Sequence, residues 1–572
     1  LLFNLFETLW SSLFEHEGFL ISMLTPVVKV KKQKNEKSFY SVKDFDKWKL
    51  ANNNGKGWNA KYYKGLGTST AKEAKEYFKA FKCVEYTTNK PSDKDSIHMA
   101  FSKQEGGSDV RKTWLTAYDK NKTLDYTSKK ISVEKFINED LIHFSASDCV
   151  RSFPNIIDGL KPSQRKVLYS CLKRKLFDKE IRVAQLAGYV SEHAAYHHGE
   201  MSLHGTIINM AQNFVGSNNC NLLVPEGQFG TRIGGGKDAA QPRYIQTKLC
   251  KITPLIFNNL DNPLYRFNKD DDNENVEPEY YVPVLPMGLI NGSKGIGTGW
   301  STDIPCFNTW DIIEYIRNHI HNKPTKELEP YYNNFKGSII KKSENIYASK
   351  GIYTIHDGII TITELPVGTW TDTYKTYLET LLIDSKNTNK IQILRNYKSY
   401  CTDTEVKFEL YLKEDTIWEL NKFNEKLGMT KLEKILKLVS TINMNNMVAF
   451  DSNNKIKKYS SVNEIMEEYI GVRLETYNRR KEYLLNKLER ELNYLKLKIR
   501  FIMEYIEEKI IIHKRAKSNV IEQLEQGNYP LIETSYDYLL KMTIDSLTQD
   551  RIDELNKQLT NKESDYNIIK SK

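Results

Sequence analysis

Residues 158–174, DGLKPSQRKVLYSCLKR, are the most informative stretch of the sequence. The turn at Asp158 and Gly159 leads to Pro162, and proline is favoured at the first position of a helix because its missing N–H has no partner there in any case. Apolar residues follow at helical spacing: Val167, Leu168, Cys171 and Leu172. The stretch therefore predicts a helix that begins near Pro162 and carries basic residues around an apolar stripe.

Two further short helices are predicted downstream, over about 183–190 and 201–214. The second has Leu203, Ile207, Met210 and Phe214 on one face at helical spacing. Short helices that are joined by turns and are rich in basic residues are typical of helix-turn-helix or winged-helix units. We therefore expect a nucleic-acid-binding fold in this part of the chain.

The C-terminal third contains a heptad pattern. Its apolar positions step alternately by three and four residues: Leu485, Leu488, Leu492, Leu495, Ile499, Ile502 and Ile506. Such a seam predicts a coiled coil. A second helix is predicted from Thr548, where Leu547 and Ile552 can form a hydrophobic staple. Two such helices separated by a polar segment predict an antiparallel arm.

The flanking regions are less regular. Residues 1–30 carry an apolar helical stripe and then a short strand, and the turn at 65–67 precedes a helix over 68–78. Residues 86–130 are polar, which predicts an irregular linker. Between 305 and 430, short β-like runs alternate with helices and predict an α+β domain.

Composition limits the classes of protein that the chain can represent. Its 572 residues are 40% hydrophobic and 27% charged, which excludes collagen-like, mucin-like and wholly disordered chains and suggests about three to four domains. No run of about 18 apolar residues is present, and residues 1–6 do not resemble a signal peptide. The net charge of +10 permits nucleic-acid binding without requiring it. The seven cysteines form no C-x-x-C, which argues against zinc fingers and a disulfide framework and fits a reducing compartment.

Several common site motifs are absent or weak. No P-loop, H-E-x-x-H or EF-hand pattern occurs. Asp270, Asp271 and Asp272 could hold a metal, but a solvated acidic loop is the simpler interpretation. The glycines between 292 and 299 have the wrong spacing for a dinucleotide fingerprint. His197 and His198 could be a metal pair or an acid–base site, yet adjacent residues do not share a helix face, so a surface or structural role is favoured when they are taken alone.

Arg243 and Tyr244 lie in a Gly-rich basic stretch that contains Arg232 and Lys237. A tyrosine oxygen is a poor nucleophile at neutral pH because its pKa is near 10. A neighbouring guanidinium can stabilise both the phenolate and the charge that develops on a phosphate. The pair therefore suggests chemistry on a phosphodiester, although in a chain with 34 tyrosines an Arg-Tyr pair alone is weak evidence.

Eight segments, in order and spacing, resemble the type IIA DNA topoisomerases, and within them the eukaryotic and viral topoisomerase II branch. The resemblance covers essentially the whole chain. The segments are YYKGLGTST (62–70), DGLKPSQRKV (158–167), YHHGEMSL (196–203), AQNFVGSNN (211–219), GQFGTR (227–232), PRYI (242–245), EPEYY (277–281) and GIGTGWST (295–302).

The resemblance implies catalytic roles for four residues. Tyr244 corresponds to the nucleophile that attacks DNA and forms a 5′-phosphotyrosine bond, which can be resealed without a cofactor for ligation because the phosphodiester energy is kept. Arg243 corresponds to the arginine that stabilises the transition state. His197 or His198 would orient or polarise the phosphate, and both remain candidates.

The resemblance also implies a DNA-binding surface. Its proposed backbone contacts are Lys64, Lys161, Arg165, Lys166, Arg232 and Lys237. Such contacts make affinity depend on salt and carry little sequence information. Ile296, between two glycines, resembles the family's apolar wedge, which inserts between base steps and bends the duplex.

The implied fold is a mixed α/β multidomain chain. Its expected parts are a remnant of the TOPRIM domain at 1–85, a linker at 86–134, a winged-helix DNA-gate domain with the catalytic tyrosine at 135–265, an α+β tower at 266–430, and a long antiparallel coiled-coil arm with a lower dimer region at 431–572. We expect it to act as a homodimer on double-stranded DNA.

The family's ATPase domain and the TOPRIM acids that hold Mg²⁺ are expected upstream of residue 1, in cis or as a separate polypeptide. Mg²⁺ and ATP would then be bound mainly outside this chain, and no metal ligands are named within it. We expect an intracellular enzyme without a membrane anchor, located in the nucleus or, for a viral protein, at a cytoplasmic replication site of the host.

Two rival interpretations remain. Without the metal acids, the chain could be a clamp that binds and bends DNA but does not cut it; covalent trapping on DNA distinguishes the two. A tyrosine recombinase would need His-x-x-Arg, and none of the eleven histidines has an arginine at that offset.

Overall fold

A computed structural model describes the chain except for residues 64, 89, 127, 271–273, 384–392, 413–416, 418, 425–427, 544–545 and 572. The fold is mixed α/β and divides into two compact units. The first contains residues 1–250 and 286–465, and the second contains residues 251–285 and 466–572. These divisions differ from the predicted domain boundaries at 265 and 430. In the described part of the chain, no helix is both long and apolar enough to cross a membrane.

The N-terminal part of the first unit contains two small sheets. Strand β5 (Cys83–Thr87) pairs antiparallel with β1 (Ile21–Met23) and parallel with β6 (Lys130–Ser132). Strand β2 (Val28–Lys32) lies between β3 (Asn35–Phe39) and β4 (Asn59–Tyr62). The helices here are α1 (Leu2–Leu9), α2 (Ser11–Phe14), α3 (Val42–Ala51) and α4 (Ala71–Ala80). The predicted strand and helices of this region are thus confirmed.

The stretch 86–134 is not the irregular segment that its composition predicts. It contains helices α5 (Pro91–Phe101) and α6 (Gly107–Thr116). No residue of helix α6 is fully buried, although Trp114 packs against the N-terminal core, so its apolar pattern is short and weak. Helix α5 is held by Asp93, whose buried carboxylate accepts hydrogen bonds from the backbone N–H groups of Lys90 and Glu134.

The central part of the first unit is helical. Helix α7 (Val133–Phe136) continues through a π-helical turn at Ile137–Leu141 into α8 (Ile142–Ser152). Then follow α9 (Pro162–Lys173), α10 (Val183–His193) and α11 (Glu200–Ala211), as predicted, with Pro162 at the start of α9. Two-residue strands β7 (Ile181–Arg182) and β8 (Gln246–Thr247) pair beside them.

Residues 286–465 add sheets to the same unit. Helix α13 (Met287–Ile290) leads to a hairpin of β11 (Ser293–Ile296) and β12 (Ser301–Ile304), followed by α14 (Thr309–Ile320). One sheet has the order β13 (Ser338–Ser343), β14 (Ile346–Lys350), β21 (Val439–Asn443). The other has the order β15 (Ile352–His356), β16 (Ile359–Glu364), β18 (Phe408–Leu412), β17 (Leu394–Ser399).

These sheets are accompanied by α15 (Thr371–Glu379), α16 (Lys431–Ile435) and two short pairs, β19 (Phe423–Asn424) with β20 (Met429–Thr430) and β22 (Met447–Phe450) with β23 (Ile456–Tyr459). A core of buried side chains from β16, β17, β18 and α15 covers one face of the larger sheet. The mixture of strands and helices predicted for this region is confirmed.

The second unit contains all but the first four residues of a 45-residue helix, α17 (Val462–Ile506). Its remaining elements are α12 (Thr253–Ile256), β9 (Phe267–Lys269), β10 (Asn275–Pro278), α18 (Lys517–Gln526), α19 (Asp537–Leu540) and α20 (Gln549–Ser571). Four seam residues of α17 are buried: Leu492, Leu495, Ile499 and Ile502. Ile552 and Leu555 of α20 pack against this seam, and Lys562 pairs with Glu491 further along. Residues later in α20 thus contact residues earlier in α17, so the two helices run antiparallel. This direction was predicted from two helices separated by a polar segment.

Candidate functional site

The turn that carries Tyr244 is tied to the start of α10. The Tyr244 N–H donates to the carbonyl of Gln241 at 2.9 Å. The carbonyls of Pro242 and Ile245 accept from the backbone N–H groups of Ala184 and Val183, both at 3.1 Å. These are donors in the first turn of a helix, which have no partner within the helix. The turn is therefore fixed by backbone bonds on both sides of Tyr244.

The side chains of this turn face opposite environments. Ile245 is buried, whereas Tyr244 is 70% exposed. The guanidinium carbon of Arg243 lies 5.0 Å from the centre of the Tyr244 ring. An exposed phenol thus stands beside an exposed cation on a rigid turn, which is the arrangement required for attack on a bulky external phosphodiester.

His197 and His198 lie in the segment between α10 and α11. Both are exposed, and the preceding Tyr196 is buried. The rings of Tyr196 and His198 meet edge to face with centroids 5.4 Å apart. The tyrosine turn contacts the N-terminus of α10, while this segment leaves its C-terminus. A helix of 11 residues is about 16 Å long, so the tyrosine turn and the histidine segment lie at opposite ends of α10.

Lys161 and Arg165 lie at the start of α9 in different surroundings. Arg165 is buried and donates through Nε and a terminal nitrogen to the two carboxylate oxygens of Asp158, at 2.7 and 3.0 Å. It also donates to the carbonyl of Leu160 at 2.8 Å. Arg165 therefore shapes the turn before α9 and is not part of an exposed cationic surface, contrary to the expected phosphate contact.

Lys161 bonds to the hairpin that carries Ile296. Its Nζ donates to the carbonyl of Lys294 at 2.7 Å. Burial lowers the pKa of the Lys161 ammonium below its ordinary value. Asp158, Arg165 and Lys161 thus form a chain of contacts from the core to β11.

The turn before α9 depends on a glycine. Gly159 has a φ of +68°, and a Cβ there would lie 2.1 Å from the backbone nitrogen of Gly288. Only glycine permits this close approach of two backbones.

Arg232 and Lys237 also lie in different environments. Arg232 is buried and forms an ion pair with the buried Glu364 of β16. Lys237 is exposed. Next to it, Asp238 accepts hydrogen bonds from the backbone N–H and the hydroxyl of Thr231. Burial raises the pKa of Asp238, but these bonds outweigh it and hold the pKa below its ordinary value. Arg232 therefore fixes its loop to the neighbouring sheet. Of these two cations, Lys237 is the exposed one.

Ile296 stands at the end of β11 and is 84% exposed. Its hairpin is pressed against α8, because a Cβ on Gly295 would lie 2.1 Å from the carbonyl oxygen of Ser152. The Thr298 hydroxyl donates to Asp148, and its carbonyl accepts from the Cys149 thiol. A large apolar side chain is thus held in solvent by a rigid support, as a wedge requires.

Some predicted residues do not enter this arrangement. Lys64, Asp271 and Asp272 lie outside the described residues. Asp270 is engaged with Glu274 through backbone and side-chain bonds. Within the described ranges, no three His, Cys, Asp or Glu side chains are grouped so that they could hold a metal ion. This part of the chain therefore does not fit a Mg²⁺ site.

Sequence reasoning missed the partners of the buried arginines. In the sequence Asp158 is only one residue of a turn, and Glu364 is 132 residues from Arg232. No local pattern signals either pair. The buried positions of Arg165 and Arg232 follow from those partners, because a charge is buried in a protein only when it is paired.

Comparisons with known proteins agree over the whole chain. A family model for DNA gyrase/topoisomerase IV matches residues 151–572, and the model of the C-terminal associated domain of TOPRIM matches residues 23–149. DNA topoisomerase 2-alpha of Rattus norvegicus is 42% identical over 624 residues, and DNA topoisomerase 2 of Plasmodium falciparum is 41% identical over 609. Both alignments cover 100% of this chain but only 40% and 42% of those proteins. The chain thus spans about two fifths of these relatives.

A solved structure is also similar. It is the DNA-binding, cleavage and re-ligation domain of Plasmodium falciparum topoisomerase II, with a TM-score of 0.78 and 41% identity. The alignment covers 100% of this chain and 79% of that one.

Proposed function

Because the chain belongs to the type IIA DNA topoisomerase family, we propose that it is the breakage–reunion core of a topoisomerase II, which cuts and reseals duplex DNA. The observation that carries the proposal is the exposed Tyr244 beside Arg243 on a turn fixed by backbone bonds. The full enzyme would pass one duplex through another, driven by ATP.

In the proposed reaction, the Tyr244 oxygen attacks a phosphorus atom of the DNA backbone. An O–P bond to tyrosine forms, the bond from phosphorus to the 3′ oxygen breaks, and the phenol proton is lost as the 3′ hydroxyl gains one. The 5′ end remains attached to Tyr244. The reverse attack by the 3′ hydroxyl restores the strand, since one phosphodiester has been exchanged for another.

The residues around Tyr244 have distinct parts. Arg243 stabilises the negative charge that gathers on the phosphate oxygens, and its planar guanidinium suits two of them at once. His197 and His198, at the other end of α10, would orient a phosphate of the same bound DNA. Type II topoisomerases use Mg²⁺ to neutralise charge at the scissile phosphate, but the described residues do not fit that ion, so no step here is assigned to it.

DNA would lie across the half-buried Lys161, the exposed Lys237 and the wedge. Lys161 and Lys237 contact phosphates, and Ile296 inserts between base steps. Arg165 and Arg232 support this surface through their buried ion pairs with Asp158 and Glu364.

The domain assignments are part of the proposal. Residues 1–85 would be the end of a TOPRIM domain, and 135–265 a winged-helix gate built on α9, α10 and α11. Residues 266–430 would be the tower, and 431–572 the arm and lower dimer interface of a homodimer. The similarity to eukaryotic topoisomerases supports a nuclear location.

A DNA clamp that binds and bends DNA without cutting it is the second candidate. It is favoured by the exposed Ile296 and Lys237, which could bind and bend DNA without a chemical step.

Replacement of the tyrosine hydroxyl tests the proposal. The chain, supplied with Mg²⁺ and the metal-binding portion of a family enzyme, is incubated with DNA and denatured with detergent to trap covalent adducts. Tyr244→Phe should abolish the adducts and leave DNA binding nearly intact, because only the attacking oxygen is lost. The matched control is Tyr400→Phe, since Tyr400 is also exposed and lies beside a cation, Lys407. Adducts that persist in Tyr244→Phe would place the nucleophile elsewhere, and no adducts in either protein would favour the clamp.

A further inference from the structure

Lys166, like Lys161, bonds to a backbone carbonyl, but the carbonyl that it bonds lies at the start of the segment that carries His197 and His198. Lys166 lies on α9 and is half-buried, and its Nζ donates to the backbone carbonyl of Ala194 at 2.6 Å. This bond joins α9 to the residue at which α10 ends, so Lys166 links two helices of the same unit.

The carbonyl that it holds marks the end of α10. Ala194 is the residue at which this helix ends, and it is completely buried. Carbonyls at a helix C-terminus lack partners within the helix and carry the negative end of its dipole. A lysine ammonium satisfies both the missing hydrogen bond and the charge.

The next residue turns the chain in an unfavourable conformation. Ala195 has a φ of +48°, in the left-handed region that a residue with a Cβ rarely adopts. Such a conformation persists only where the surrounding structure imposes it. On one side it is imposed by the bond from Lys166 to Ala194, and on the other by Tyr196, which is buried and contacts the ring of His198.

We propose that Lys166 is a positioning residue that fixes segment 194–199, and thereby the exposed rings of His197 and His198, against the end of α10. It acts through this backbone bond and not by contacting DNA phosphate. The inference rests on the proposed function, in which these two histidines hold the phosphate.

The side chains with charge near this segment come from three helices. Lys166 belongs to α9, Glu192 and His193 to the end of α10, and Glu200 to the first turn of α11. His193 lies 3.6 Å from Glu192, and His204 lies 3.4 Å from Glu200. The test therefore includes a variant that removes only His197 and His198, so that their contribution is separated from these neighbours.

The first measurement is the affinity of residues 1–572 for a short duplex at pH 8 as a function of salt. A lysine that contacts phosphate contributes a slope of about 0.9 in log affinity against log salt. Lys166→Met should leave this slope unchanged, whereas Lys237→Met should reduce it by roughly that amount.

The second measurement is the same affinity from pH 8 to pH 5.5. Histidine gains a proton across this range, and each charged ring can then donate to phosphate, so the wild type should bind roughly tenfold more tightly at pH 5.5. Lys166→Met should lose most of this gain, as should the double variant His197→Ala with His198→Ala. Lys166→Arg should retain it, because arginine can also donate to the carbonyl. The matched control is Lys173→Met, an exposed lysine two turns further along the same helix, which should also retain it.

Hydrogen exchange shows whether the lost pH dependence of DNA affinity in Lys166→Met comes from a loosened segment 194–199. In Lys166→Met, the amides of 194–199 should exchange faster while those of α11 keep their protection; if the whole unit is loosened, Lys166→Gln is used in its place. The inference is overturned if Lys166→Met keeps the full rise in DNA affinity between pH 8 and pH 5.5. It is also overturned if this variant lowers the slope of log affinity against log salt at pH 8. If the double histidine variant keeps the gain, it is the proposed role of the histidines that fails. If that variant loses the gain while Lys166→Met keeps it, only the inference fails.

Discussion

At the residue scale, the site combines exposed side chains with backbone segments that are held by hydrogen bonds and close packing. Tyr244 and Ile296 are 70% and 84% exposed, yet each lies on a segment fixed by buried contacts. For Tyr244 these are the bonds to Val183 and Ala184, and for Ile296 the packing of Gly295 on Ser152. Large exposed side chains on rigid supports lose little freedom when they meet a ligand, which favours binding and correct orientation.

The wedge role of Ile296 makes a measurable prediction. Ile296→Ala should reduce the bend of a bound duplex, measured by fluorescence transfer between its ends, because opening a base step costs a few kcal/mol that an apolar wedge must offset. Ile340→Ala serves as the control, since Ile340 is an exposed isoleucine of β13 in the same unit. An unchanged bend in Ile296→Ala would show that Ile296 does not act as a wedge.

The segments 196–203 and 242–245 are contiguous strings, so the sequence alone was enough to propose His197, His198, Arg243 and Tyr244 as site residues. The environments of the site residues were harder to predict. The burial of Arg165 and Arg232 could not be predicted, since it depends on side chains brought close by folding. From composition alone, every arginine is a candidate phosphate-binding residue.

At the element scale, the structure reproduces the heptad pattern, and it begins α4 at Ala71, three residues after the predicted start at residue 68. Thr70 caps α4 by accepting from the Glu73 N–H, and the Glu73 carboxylate accepts from the Thr70 N–H. This reciprocal arrangement is readable from sequence. Helix α6 was not predicted because none of its residues is fully buried, and it is held by Trp114, which packs on the N-terminal core and donates to Asn138.

The cap of α4 predicts a dependence of stability on pH. The hydroxyl of Tyr63 donates to Glu73, and with the Thr70 N–H it lowers the pKa of this carboxyl to about 2. Because the folded pKa lies below the unfolded value of about 4.3, the stabilisation is complete above that value and is lost as pH falls toward 2.

Glu73→Gln should therefore lower the free energy of unfolding more at pH 6 than at pH 3, measured by urea titration. Glu76→Gln, at an exposed position of the same helix, should change stability little at either pH. An equal loss at both pH values for Glu73→Gln would contradict the assignment.

The seam between α17 and α20 makes a second prediction at this scale. Ile502 is completely buried against α20, whereas Ile506, at the next seam position, is 45% exposed. Ile502→Ala should destabilise the second unit by about 2–5 kcal/mol, through lost burial and a cavity. Ile506→Ala should cost less than about 1 kcal/mol. Circular dichroism during urea unfolding compares them, and equal costs would mean that the helices do not pack as described.

At the scale of the whole molecule, a modest net charge of +10 is less informative than the places where cations are exposed. Several basic residues that look available in the sequence are used internally, as in the pairs Arg165–Asp158, Arg232–Glu364 and Arg473–Asp261. The order of elements and the long arm could be predicted from the sequence. The division at residues 250 and 285 could not, because it depends on contacts such as the one from Arg473 to Asp261, which are 212 residues apart.

The proposed DNA surface predicts how affinity responds to salt. The logarithm of the affinity of residues 1–572 for duplex DNA should fall linearly with the logarithm of salt concentration, by about 0.9 for each phosphate contacted. Lys161→Gln and Lys237→Gln should each reduce this slope by about that amount. Lys323→Gln, at an exposed lysine just beyond α14, should leave it unchanged. Equal effects of all three would indicate diffuse charge attraction without a defined surface.

The central claim is that Tyr244 forms a bond to the 5′ end of cleaved DNA, and identification of the modified residue tests it most directly. Covalent adducts are trapped with detergent, digested with nuclease and protease, and the peptides are sequenced by mass spectrometry. We expect one modified peptide, which carries a nucleotide linked through its 5′ phosphate to Tyr244. A nucleotide on another residue, or one linked through its 3′ phosphate, would contradict it.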